Sequence, residues 1–133
     1  MVFGDAEAAV CDILRDSADI AAFTGVTVAT DLIGFAYPAR RLKVTRTGGM
    51  PTLWMRVDNP VIEIEASADT KGIAYDLASA ARAAVFAARG TYTGHGLALF
   101  EVADSTGLTW SPDTADPDVA RYTVRLSLVT RPS

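Results

Sequence analysis

One cysteine and one histidine are the only thiol and the only near-neutral titrating side chain in this 133-residue sequence. A lone Cys11 cannot close an internal disulfide, so the pattern excludes a disulfide-stapled secreted module and suits a reducing compartment. Beside Val10, Ile13 and Leu14 it reads as a small buried hydrophobe, not a nucleophile. One Cys and one His cannot compose a zinc site of the usual kind, and no metal or other cofactor is expected. His95, within Thr93-Gly94-His95-Gly96, reads as a solvated loop histidine. No uninterrupted apolar run approaches the ~20 residues that span a bilayer, so no membrane partner is expected. Residues 1–20 carry Asp5, Glu7, Asp12, Asp16 and Asp19, the reverse of a cationic secretory leader.

Other chemistry is missing too. Gly48-Gly49 lacks the following Lys-Ser/Thr and helix start of a phosphate-binding loop. No serine lies in a nucleophile-elbow pattern. Asp113, Asp116 and Asp118 are interrupted by Pro112 and Pro117 and lack the bidentate glutamate of an EF-hand. Glu63 and Glu65 share a strand face, where an exposed polar role outweighs paired acid–base catalysis. A positive excess is also lacking: 12 Lys and Arg against 16 Asp and Glu give a net charge of −4. A nucleic-acid binder normally carries a basic footprint, and this chain does not.

What the sequence has is hydrophobic patterning, with 50% hydrophobic and 21% charged residues. That is enough for one domain spanning residues 1–133. Ala6, Val10, Ile13 and Leu14 recur at helical spacing over 5–18, with Asp5 as N-cap. Ile20 and Phe23 fold back on the core, and residues 26–30 read as a short strand before a loop at Gly34 and Pro38. Asp69 or Thr70 caps a second helix over 70–89, with Ile73, Leu77, Ala81, Ala84, Val85 and Ala88 as its buried stripe and Gly90 at its end. Residues 61–66 and 97–102 read as strands, 104–117 as a polar loop that Trp110 pins to the body. Tyr122, Val124, Leu126 and Leu128 mark a long terminal strand. Its other face aligns Arg121 and Arg125 with Glu63 and Glu65, across strands or a subunit boundary. The predicted fold is α+β, a two-layer sandwich of a mostly antiparallel or mixed sheet with two helices and a protruding hairpin.

That hairpin is read at residues 40–57. Leu42, Val44 and Arg46 alternate with Lys43, Thr45 and Thr47; Gly48-Gly49 reverses the chain; Leu53, Met55 and Val57 then alternate with Trp54 and Arg56. Arg40, Arg41, Lys43, Arg46 and Arg56 make it basic in an acidic chain, a surface for meeting other proteins. Trp54 stands either as an interface anchor or as cover for its own sheet.

The acidic first helix, the basic strand ending Arg46-Thr47-Gly48-Gly49 and the strand Val61–Ala66 before an alanine-rich helix form a recognisable series. Ser111-Pro112-Asp113 through Asp116-Pro117, then Arg121-Tyr122 opening the last strand, complete it. Together they resemble the tail-terminator, or tail-completion, proteins of long-tailed bacteriophages, particularly those of actinobacterial hosts. The resemblance covers nearly the whole chain. It implies a structural virion protein and not an enzyme. Such a protein forms a hexameric ring at the head-proximal end of the tail and is made in the host cytoplasm during assembly. The ring caps the tail-tube protein, stops its polymerisation and offers a docking surface to the head-side connector, while DNA passes through without specific binding. Under that implication, Arg40, Arg41, Lys43, Arg46, Gly48, Gly49, Trp54, Arg56, Glu63, Glu65, Arg121 and Arg125 are interface candidates. Another head–tail joining protein, such as a head-closure or minor tail component, is the nearest alternative. A small α+β enzyme or ligand-binding module using His95 is the remoter one.

Overall fold

The computed structural model describes residues 3–30, 40–51, 57–112 and 119–133. Helix α1 (Ala6–Arg15) begins where the Asp5 side chain accepts from the Ala8 N–H at 3.1 Å. That bond satisfies one of the donors a helix start leaves free. The helix buries Ala6, Ala9, Val10, Ile13 and Leu14 along one stripe. A single turn, α2 (Ala18–Ala21), is capped by Ser17 and turns Ile20 inward. Strand β1 (Thr27–Ala29) follows, then β2 (Arg41–Gly48) and β3 (Val61–Ala68). The Thr70 hydroxyl caps α3 (Lys71–Ala88) by accepting from the Ile73 N–H at 3.2 Å. Strands β4 (Thr93–Gly94), β5 (Leu97–Trp110) and β6 (Ala120–Pro132) complete the chain.

These strands make a six-stranded sheet in the order β1-β2-β3-β6-β5-β4, with only β1 and β2 parallel. The expected α+β architecture is thus present. Register follows the hydrophobic alternation. Leu42 lies opposite Ala66, Val44 opposite Ile64, and Ile64 opposite Val124, so the apolar residues of three strands share one face. α1 packs over β2, and α3 packs over β3, β5 and β6. Their apolar stripes and that sheet face form one core cluster, including Leu14, Leu77, Ala81 and Val85, each without exposure. Alanines at the α3 contact let the helix lie close. Its stripe is turned slightly from expectation, because Ala74 and Ala78 are buried while Ile73, Ala84 and Ala88 are half-covered.

Among the described residues the antiparallel partner of β2 is β3, and Asp58, read as part of a turn, bridges to Thr130 of β6; the return arm of the 40–57 hairpin falls mostly on residues 52–56, outside the described residues. Gly49 is still required: its φ is +94°, and a Cβ there would overlap the Asn59 carbonyl oxygen. Only a residue without a side chain fits both the left-handed backbone and that close approach. The polar stretch 104–110 is the distal half of β5, not a loop, and pairs with β6 as far as Trp110 opposite Tyr122. Among the described residues β5 and β6 make the longest antiparallel ladder. The loop around Gly34 and Pro38, residues 52–56 with Trp54 and Arg56, and the 113–118 part of the Pro/Asp loop lie outside the described residues.

Candidate functional site

The face of the sheet opposite the helices carries the charge. Pairing places Ser67 directly between Arg41 and Arg121, Glu65 between Lys43 and Thr123, and Glu63 between Thr45 and Arg125. Six of the predicted site residues, Arg41, Lys43, Glu63, Glu65, Arg121 and Arg125, therefore share one face of the sheet, with the two carboxylates next to cations. The Arg125 Nε lies 3.4 Å from a Glu63 carboxylate oxygen, and Arg121 Nη1 lies 4.0 Å from Glu65. These are the cross-strand pairs that the alternation predicted, formed within the chain. Arg121 also donates to the Ser111 carbonyl at 2.7 Å, tying the end of β5 to β6. Arg41 is buried, at 2% exposure, whereas the Arg125 side chain is half-exposed, at 51%.

The other described candidates lie apart from that face. Arg46 alternates onto the helix side of β2, where its guanidinium forks onto Asp58 at 2.8 and 3.0 Å. It further donates to the carbonyls of Gly48 and Gly49, so one side chain fastens the chain entering and leaving the 49–58 connection. Its backbone N–H donates to Glu7 of α1 at 2.7 Å. Arg40 bonds Asp69 at 3.2 Å and the Thr24 carbonyl at 3.4 Å, tying the approach to β1 to the end of β3. The Asp69 carboxyl is held below its ordinary range, first by a hydrogen bond from its own backbone N–H and then by Arg40.

A cluster invisible to sequence spacing joins α1 to the β4–β5 turn. His95 and Gly96 both take positive φ, at 49° and 78°. A two-residue hairpin loop of this kind needs that geometry at both positions. The turn carries His95 Nε2 to 2.6 Å from Asp12 Oδ2, and Tyr92 donates its hydroxyl to the same oxygen at 3.3 Å. Burial, then the Asp12 charge, pushes the Tyr92 phenol up to about 12. Burial likewise raises the Cys11 thiol, which is no poised nucleophile. His95 is therefore paired, not merely solvated. Asp12 and His95 stand 83 residues apart and share no motif that could have announced the contact.

Two further surfaces occupy opposite ends of α3. At its start, Trp110 and Tyr75 both pack on the Tyr122 ring, with centroids 5.2 and 5.4 Å away, and Lys71 Nζ sits 4.6 Å over Trp110. Trp110 and Tyr75 keep 41% and 46% of their surface exposed. At its end, an open groove of about 450 Å³ runs between α3 and the α1–α2 corner, floored by Ala83, Ala84, Ala87 and Ala88 and edged by Asp16 and Asp19. Among the described residues no group of three or more His, Cys, Asp or Glu is placed to hold a metal, and no helix is long and apolar enough to cross a membrane.

No family model matches the chain, and no curated protein matches it. Among solved structures it is similar to a chain from the virion of a native gene transfer agent particle, at TM-score 0.69 and 18% identity. The alignment covers 95% of this chain and 94% of that one. At that identity the likeness is one of fold, and it extends from end to end.

Proposed function

We propose that this protein is a structural component of a phage-like virion whose single domain, residues 1–133, assembles into a ring that caps the tail tube. The ring stops tube growth and gives the head-side connector a docking surface. One observation carries the reading: the end-to-end fold likeness to a chain of a gene transfer agent virion, with almost nothing left over in either chain. The independent resemblance of the sequence to tail-completion proteins supports the same class and narrows it to the head-proximal end of the tail. On this reading the chain works by shape and charge, with no reaction, no cofactor and no membrane.

The mixed-charge sheet face suits such work. Rows of alternating sign fix register against a partner more than they add raw affinity. A ring built by rotation needs two different complementary surfaces on each subunit, and a chain with a charged sheet face, an exposed aromatic cluster and an acidic groove has several to offer. The test is electron microscopy of the protein mixed with its cognate tail-tube subunit. Caps on tube ends, with tubes that cease to lengthen, are expected. Unaltered tubes in the presence of folded protein would reject termination and turn the assignment to the portal-side joining role.

A further inference from the structure

The groove at the end of α3 and the aromatic cluster at its start are complementary in kind. The small alanine side chains on its floor leave the groove open. Its volume falls within the hundreds of Å³ typical of pockets that bury an inserted group, so it has room for a large flat side chain. Asp16 and Asp19 on its rim favour a guest that brings positive charge. Trp110 is such a guest. It is half-exposed, packed on Tyr122, and carries the Lys71 ammonium against its ring. Trp and Tyr in this setting are the side chains that most often anchor interfaces, since they bury much apolar area with little loss of side-chain freedom.

The 18 residues of α3 separate the two surfaces. At the usual rise per residue the helix is about 27 Å long, so knob and groove on one chain are too far apart to meet. We infer that they meet between chains: Trp110 and Lys71 of one copy seat in the Ala84–Ala87 groove of the next, Lys71 against Asp16 and Asp19. The inference rests on the assembly reading above and gives it a subunit contact. The two surfaces differ, so copies joined head-to-tail by a rotation that closes build a ring, whereas a two-fold dimer using both surfaces reciprocally would stop at dimers.

The test uses the full chain with one cysteine beside the knob, Gly72→Cys, and one in the groove, Ala83→Cys. Gly72 has open space for a side chain, Ala83 is exposed, and Cys11 is buried away from reagent. A short bismaleimide added to concentrated protein is expected to give a ladder of dimers, trimers and higher species, read on a denaturing gel. Either single-cysteine chain alone should give none of it. Trp110→Ala, and independently Ala87→Trp, which plugs the groove from an exposed position, should each cut the ladder by about tenfold, the scale of losing an anchor residue. Mixing those two variants, each carrying both cysteines, should restore dimers only, since one intact junction remains.

Tube capping is scored in parallel, so the two ideas separate. Capping without a ladder, or a ladder that survives both Trp110→Ala and Ala87→Trp, overturns the knob-in-groove contact and leaves termination standing. A Trp110-dependent ladder without capping keeps the contact and removes termination. Trp110-dependent linking of this chain to the tube subunit, with none between copies, also overturns the contact and assigns the knob to the tube.

Discussion

At the scale of single residues, the most specific interactions of the chain close its connections. Asp58 is buried at 2% exposure and is neutralised by the two-pronged Arg46 fork. The Arg46 side chain itself is about one-third exposed. Arg46→Met would strand the carboxylate, and the partial exposure should hold the loss below the full cost of a broken buried pair, at about 2 kcal/mol. A urea midpoint unchanged in Arg46→Met would show that the fork contributes nothing. Gly49 combines a left-handed φ with the close approach of the Asn59 carbonyl, whereas Gly48 has open space and ordinary φ. Gly49→Ala should therefore cost about 3 kcal/mol or prevent folding, and Gly48→Ala under about 1 kcal/mol. Equal losses at the two glycines would refute that distinction. Tyr92 gives a pH prediction. Its folded phenol holds the proton to about pH 12, while an unfolded tyrosine releases it near about 10. Above pH ~10 the unfolded state therefore binds fewer protons than the folded one, and stability falls as pH rises from about 10 to 12. Because Tyr92 is only partly buried, the drop should stay under about 2 kcal/mol, and Tyr92→Phe should flatten it in thermal melts across that window.

At the scale of elements, legibility followed burial. Strands β3 and β6 and helix α3 were readable because each buries one face, so alternation or helical spacing is enforced by the core. The cross-strand pairs Glu63–Arg125 and Glu65–Arg121 were readable for the same reason: once the apolar face is fixed, the polar residues must line up on the other. Residues 104–110 read as a loop because most of that stretch is exposed on both faces, and a strand with no buried side loses the period-2 signal. Glycine spacing records where positive φ is tolerated, not which strand the chain meets next, and among the described residues the antiparallel partner of β2 begins twelve residues beyond Gly49, at Val61. The His95–Asp12 contact was illegible in principle, since two elements from opposite ends of the chain create it. The charged face then allows a test at element scale. Arg125 opposite Glu63 is half-exposed. Glu63→Arg breaks the pair and sets like charges opposite each other, yet should cost only about 1 kcal/mol, because solvent screens the repulsion. If that face contacts a partner, the same substitution should abolish tube capping while a Glu63→Arg, Arg125→Glu swap restores folding stability but not capping. Full capping by Glu63→Arg would remove the sheet face from the interface.

At the scale of the whole molecule, the distribution of charge bears on the DNA that a tail-end ring would surround. The sequence holds 12 basic residues, and among the described residues six arginines, Arg40, Arg46, Arg82, Arg89, Arg121 and Arg125, are each paired with a carboxylate of the same chain. The Arg82–Asp104 pair is the tightest fork of these on the surface, and the Arg82 hydrogen bonds hold the Asp104 carboxyl below its ordinary range. Binding duplex DNA requires cations that can displace condensed counterions from successive phosphates. Cations already matched in place, on a chain of net charge −4, supply few. A surface of this kind repels a polyanion weakly and lets it pass, whereas a basic lining would hold it through many contacts at once. The expected outcome is that a fluorescent duplex shows no saturable change in anisotropy with micromolar protein at about 0.1 M salt, and no affinity that climbs steeply as salt is lowered. A steep salt slope, equivalent to about four or more phosphates neutralised, would mean that the arginines release their carboxylates for DNA and that the protein grips the strand it was proposed to let through.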